Sequence, residues 1–382
     1  MDVCSPDRLF SEVKSRVILY TNSSGESPNA LQPKLIQSTS SGHLARSLAE
    51  AEAEEEEEEI LFKEDPNRFS LFPIRFPDMW KAYKDHKNSF WTAEEIDFSA
   101  DKADWEKLNK EERFFLEHIL AFFAGSDGIV LENLMKNFCS EVMIPEARCF
   151  YSFQAMMENI HAESYALMIE TLVADPARKA KLFDAITEIP CVQKKAEWAV
   201  RWINDKKSSF AKRLFAFGIV EGLFFSGSFC AIFWLKERGL MTQALGKSNE
   251  WIARDESLHT EFAILLYSYL KKKITECEAH FIMHQAVTIE EEFICESLPV
   301  KLIGMNHEMM RQYIRFCADR LLTQFGYAKI YFDKNPFPFM EKISMDGKTN
   351  FFEQRVSEYS MASLPVQNDT MFALEDLDAD EF

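Results

Sequence analysis

The chain has 382 residues, with 47 % apolar and 27 % charged side chains, which is enough for one large core and excludes a fully disordered protein. Its formal charge of −19 is concentrated, because eight glutamates lie between Glu50 and Glu59 and five acids between Glu375 and Glu381; the rest of the chain carries about −6. With no basic cluster anywhere, direct binding to nucleic acid or anionic lipid is excluded as a main role. The eight cysteines form no Cys-x-x-Cys pair, and no basic start leads into an apolar run. These features read as reduced thiols in a cytoplasmic protein.

Residues 1–60 are rich in Ser, Asn, Pro and Glu and have no sustained hydrophobic period, so they read as a disordered acidic arm. An ordered helical domain is expected over 61–335, opening with the anchors Phe69, Leu71, Phe72, Ile74 and Phe76 between prolines. Thr92 and Glu95 form a capping box that predicts a short helix. A long helix is predicted from Asn109, with Glu112 three residues on, to Phe138, and a second from Pro145 to about Ala174. After a connection with helical character, a third spans about Ser208 to Glu237 and closes at Gly239. Ser248 is placed to cap a fourth that reaches about Lys273, and further helices fall at about 274–297 and 305–326. Strand patterns do not recur, so the fold class is all-α. From 336 to 382 the helical period is lost among Pro336, Pro338 and Pro365, and the segment reads as a flexible tail.

Between Leu214 and Leu235 the only acid or base is Glu221, so this stretch is long enough to span a bilayer. It stands alone, however, contains Gly218, Gly222 and Gly227, and is flanked by helices whose apolar faces need a partner. It therefore reads as a buried central helix and not as a membrane segment.

Two Glu-x-x-His pairs occur, Glu158 with His161 and Glu256 with His259. Positions i and i+3 share a helix face, so each pair can present a carboxylate and an imidazole to one metal. Either pair alone would be weak evidence, since such spacing also arises on solvated faces. Two more acids, Asp127 and Glu221, are stranded in apolar helix. An unpaired buried carboxylate costs several kcal/mol, so these acids need a cation or a proton. Three glutamates, one aspartate and two histidines spread over four consecutive helices match a ferritin-like four-helix bundle with a dimetal site and additional helices around it. The oxygen-rich donor set with two imidazoles suits iron or manganese and argues against a thiolate-bound metal; iron is the metal expected, manganese the alternative. Tyr165, four residues past His161, shares the face of Glu158 and His161. Phe225, Phe229 and Ile252 lie at helical spacing from Glu221 and Glu256, and could line a dry pocket around a tyrosyl radical or simply pack the core.

In the stretches Ser89 to Glu95, Leu120 to Asn133, Met157 to Tyr165, Val220 to Phe229 and Val300 to Asn306, the sequence resembles the small, radical-generating subunit of oxygen-dependent ribonucleotide reductases of eukaryotic or eukaryotic-virus type. The likeness covers about residues 65–360. It implies that Asp127, Glu158 and His161 hold one iron, that Glu221, Glu256 and His259 hold the other, and that Tyr165 carries the radical. It further implies that the reduced di-iron pair is assembled with dioxygen and an electron donor, and that it bears an oxo bridge when oxidised. The radical would leave through His161, Asp255, Trp91 and Tyr359 towards a catalytic large subunit that converts ribonucleotides to deoxyribonucleotides. An acidic tail containing Phe372, Leu377 and Phe382 would dock on that subunit, although its spacing is longer than the family pattern. A homodimer is implied as well. Two other functions share this fold: a self-contained di-iron oxygenase or desaturase, and a non-catalytic iron store. The sequence shows no nucleotide-binding loop and no redox cysteine pair, which leaves substrate choice to a partner.

Overall fold

A computed structural model of the protein describes residues 59–297 and 305–340. Within it the body runs to Pro336, and residues 337–340 belong to a second unit. The described residues contain helices and no strand. The chain folds through α1 (Pro77–Asn88), α2 (Lys102–Lys107), α3 (Lys110–Asn133), α4 (Pro145–Leu172), α5 (Pro176–Phe183), α6 (Pro190–Asn204), α7 (Phe210–Ile219), α8 (Ser226–Glu237), α9 (Leu245–Tyr269), α10 (Glu276–Ser297) and α11 (His307–Phe325). The four-helix core consists of α3, α4, the α7–α8 pair and α9. Helix α3 packs along α4, α7 and α8 pack on α9, and α1 lies against both α4 and α9. Helices α6, α10 and α11 cover the opposite side.

Local chemistry sets several helix starts. Asn109 caps α3 by accepting from the Glu112 amide, and the Glu112 carboxylate accepts in turn from the Asn109 amide. Pro145 occupies the first turn of α4, where its missing N–H costs nothing. Thr92 and Glu95 do form a capping box, but the helix it opens is a single 3-10 turn, Ala93–Glu95. Ser248 does not cap α9. It lies inside the helix, and its hydroxyl donates back to the Ala244 and Leu245 carbonyls. The amides at that helix start are held instead by the buried Asp101 carboxylate, which accepts from Gln243, Ala244 and Leu245.

Two predicted helices are interrupted. Helix α3 passes into a π turn at Leu134–Phe138, and a second π turn, Val220–Phe224, separates α7 from α8. A π turn inserts a residue and re-aims the side chains within it, and such turns are concentrated at functional sites. The second one carries Glu221. Gly222 lets the turn pack closely there: a Cβ would lie 3.0 Å from the Thr260 methyl and 3.2 Å from Leu321, so those side chains would have to give way. The Phe210–Glu237 segment is long and apolar enough to cross a membrane, yet it lies inside the bundle with nearly every side chain buried.

Candidate metal centre

Each core helix delivers its ligand candidates to one interior region. Asp127 comes from α3, Glu158 and His161 from α4, Glu221 from the π turn, and Glu256 and His259 from α9; all six are buried. Their donor atoms form two overlapping groups, Asp127, Glu158 and His161 in one and Glu158, Glu221, Glu256 and His259 in the other, each within 4.8 Å. Glu158 belongs to both and could serve either of two ions. His259 Nδ1 lies 3.1 Å from Glu158 Oε1, 3.2 Å from Glu256 Oε2 and 3.7 Å from Glu221 Oε2. His161 Nδ1 lies 3.1 Å from Glu256 Oε1 and 3.6 Å from Glu158 Oε2.

The donor set fits a pair of cations, because Asp127 Oδ2, both Glu158 oxygens, Glu221 Oε2 and His161 Nδ1 have no hydrogen-bond partner. Burial first, and then the neighbouring Glu158, push Asp127 well above the usual carboxylate range. Burial and then Glu256 do the same to Glu221. Burial alone would pull both imidazoles down. A hydrogen bond to Asp255, and then the nearby Glu158 and Glu256 carboxylates, nevertheless hold His161 well above its ordinary value, and Glu256 and Glu158 do the same for His259. Without a metal, then, the cluster balances its charge by keeping protons, and divalent ions would displace those protons.

Outside the ligand groups, Asp255 Oδ2 meets His161 Nε2 at 3.1 Å and accepts from Trp91 Nε1 at 2.8 Å. The Trp91 indole stacks on the His161 ring at 5.8 Å. Although burial would raise Asp255, Arg254 and His161 hold it well below the usual carboxylate range, so it stays anionic. Arg254 contacts Asp255 Oδ1 at 2.8 Å and donates to the Ser89 carbonyl.

Tyr165 is 1 % exposed, and its hydroxyl has no hydrogen-bond partner. Burial, and then the Asp127 charge, push the phenol well above its ordinary value, so it is neutral. Its ring stacks on Phe123 at 4.4 Å and 14°. Phe225 and Phe229 pack behind Phe123 at 5.7 and 5.3 Å. Ile252 is buried on α9, one turn before Glu256. Tyr359, Phe372, Leu377 and Phe382 lie outside the described residues.

Sequence reasoning missed three neighbours of the site. Gln154 is fully buried and donates to Glu221 Oε1 at 2.9 Å; its position four residues before Glu158 on the same face could have revealed it. Phe123 is the ring in direct contact with Tyr165, and it sits one turn before Asp127. His86 touches His259 from α1, and no local pattern marks it.

Two overlapping carboxylate–histidine groups inside four long helices define a ferritin-like protein with a site able to bind metal. The family model described as ribonucleotide reductase, small chain, matches residues 68–336. The small chain of ribonucleoside-diphosphate reductase from Neurospora crassa is 56 % identical over 337 residues, 88 % of this chain and 81 % of the relative. Human ribonucleoside-diphosphate reductase subunit M2 is 55 % identical over 313 residues, 81 % of this chain and 80 % of that one. Among solved structures, the Saccharomyces cerevisiae Rnr4 homodimer superposes with a TM-score of 0.71 at 37 % identity, covering 84 % of this chain and 99 % of that one. The chain belongs to the ribonucleotide reductase small-chain family.

Proposed function

We propose that this protein is the radical-generating small subunit of a ribonucleotide reductase, working with a separate large subunit that reduces ribonucleotides to deoxyribonucleotides. What carries the reading is that a buried cluster of carboxylates and imidazoles, several of whose donor atoms have no hydrogen-bond partner, shares one dry interior with a phenol that itself has no partner. Asp127, Glu158 and His161 would hold one ion and Glu221, Glu256 and His259 the other, with Glu158 reaching both. Bound iron, one of the two metals that this oxygen-rich set with two imidazoles suits, would supply one-electron oxidation of Tyr165 using dioxygen and an external electron donor.

The chain's own residues would then do the rest. Loss of an electron from Tyr165 would be accompanied by loss of its phenolic proton, which Asp127, the carboxylate whose charge acts on it most strongly, would take up. Phe123, Phe225, Phe229 and Ile252 exclude water and reductants from the oxidised ring. His161, Asp255 and Trp91 form a hydrogen-bonded path away from the centre, which Tyr359 would continue towards the large subunit. The tail docks there through Phe382 with Phe372 or Leu377, and the subunit works in the cytoplasm as a homodimer.

The test is to add ferrous iron and air to metal-free protein, then measure bound metal and the organic radical signal by electron paramagnetic resonance. Two ions per chain and a radical are expected. Tyr165→Phe should keep the ions and lose the signal. Absence of metal uptake, or an unchanged radical in Tyr165→Phe, refutes the proposal.

A further inference from the structure

The two candidate ligand histidines are backed differently. His161 Nε2 faces the anionic Asp255 carboxylate. His259 Nε2 faces another imidazole, that of His86, at 3.3 Å between the two Nε2 atoms. His86 is 0 % exposed and comes from α1, outside the four-helix core. Its ring is wedged against Phe150 at 5.1 Å and Phe153 at 4.8 Å, and its Nδ1 has no hydrogen-bond partner. A buried ring nitrogen without a partner costs about 1–3 kcal/mol, which an apolar side chain in this phenylalanine pocket would not incur. Packing therefore does not explain a histidine here.

The contact has a direction once His259 is a ligand. His259 turns Nδ1 towards Glu158, Glu221 and Glu256, so a cation there takes the Nδ1 lone pair and leaves the proton on Nε2. Nε2–H must then donate, and His86 Nε2 is the atom within reach to accept.

We propose that His86 is a positioning residue for the second metal position: it accepts the His259 Nε2 proton, holding that ring in the tautomer and orientation that offer Nδ1 to the metal. The inference rests on the ligand assignment made above. It assigns His86 to the role that Asp255 plays behind His161, with a neutral acceptor in place of an anion. The two metal positions therefore differ in the basicity of their imidazoles, since a carboxylate acceptor strengthens the donated bond about twofold.

Manganous ion is the probe, titrated into metal-free protein, with the free ion followed by electron paramagnetic resonance. Wild type should take up two ions per chain. His86→Leu should bind one ion as wild type does and the other about 10–100-fold more weakly, the usual effect of removing an outer partner of a ligand histidine. His86→Gln, whose amide oxygen can accept at the place of Nε2, should recover affinity to within about threefold of wild type. Metal-free His86→Leu should melt close to wild type, because it removes the unpartnered His86 Nδ1 while leaving the buried His259 Nε2 without its acceptor. If the leucine variant does not fold, His86→Phe replaces it in the same pocket. Wild-type affinity at both positions in the apolar variant, or a glutamine variant as weak as the apolar one, overturns the role of His86. No uptake by wild type would instead overturn the ligand assignment itself.

Discussion

Replacing Lys195 with methionine tests how the protein holds the π turn that carries Glu221. Lys195 is fully buried; its ammonium lies 2.5 Å from Glu290 Oε2, donates to the Phe224 carbonyl at 2.6 Å and sits over the Phe122 ring at 3.5 Å. Phe224 closes the π turn, so this amine fastens its end. Burial pulls Lys195 down to about 8, which still leaves it charged at pH 7, and burial pushes Glu290 up while Lys195 pulls it back. Without the amine, Glu290 can avoid an unpaired charge only by taking a proton. For a carboxyl that normally titrates at 4.5, staying protonated at pH 7 means about two and a half pH units at about 1.4 kcal/mol each, a ceiling of about 3.5 kcal/mol. Loss of the donor to Phe224 adds about 1 kcal/mol. Urea denaturation of metal-free protein should therefore show Lys195→Met destabilised by about 3–4 kcal/mol at pH 7. A carboxyl raised by folding binds more protons in the folded than in the unfolded state between its two pKa values, so its contribution to stability falls as pH rises. The penalty should therefore shrink to about 1–2 kcal/mol at pH 5. Adding Glu290→Leu should recover most of the loss, since an apolar pair can replace a buried ion pair at little cost. A single-variant cost below about 1 kcal/mol, or a double variant as unstable as the single, would refute the reasoning.

Gln154→Leu removes the amide that orients Glu221, and isothermal titration with manganous ion should show metal affinity reduced about 10–100-fold with the fold intact by circular dichroism. Phe123→Leu opens the face of Tyr165; bound metal should be unchanged while the tyrosyl radical decays at least about tenfold faster in the paramagnetic resonance signal, as water and reductants gain access. Deleting residues 373–382 should leave metal and radical at wild-type levels and abolish deoxyribonucleotide formation with the large subunit, and full turnover by the truncated chain would remove the tail from docking. Trp91→Phe loses the hydrogen bond to Asp255; it should keep the radical in the isolated subunit but lower turnover with the large subunit by about a hundredfold or more.

Much of the centre is legible in the sequence because its signals are local. Glu158 and His161, and Glu256 and His259, share helix faces through i,i+3 spacing, and Asp127 and Glu221 are conspicuous as acids in apolar helix, where burial forces a compensating charge. The α3 cap and the start of α4 are likewise written within three or four residues. Tertiary structure alone decided what depends on contacts between distant segments. Glu158 enters both donor groups only because α3, α4 and α9 converge on it. His86 meets His259 across 173 positions, and Gln154 meets Glu221 across 67. Asp101 displaces Ser248 as the cap of α9 from more than 140 residues away, because three amides converging on one buried carboxylate outweigh a serine that bonds back into its own helix. The π turn at Val220–Phe224 also escapes the sequence, since a run that is apolar on every side carries no helical phase in which an inserted residue would show. Periodicity reports which side chains must be buried, and it contains no information about which buried group each will meet.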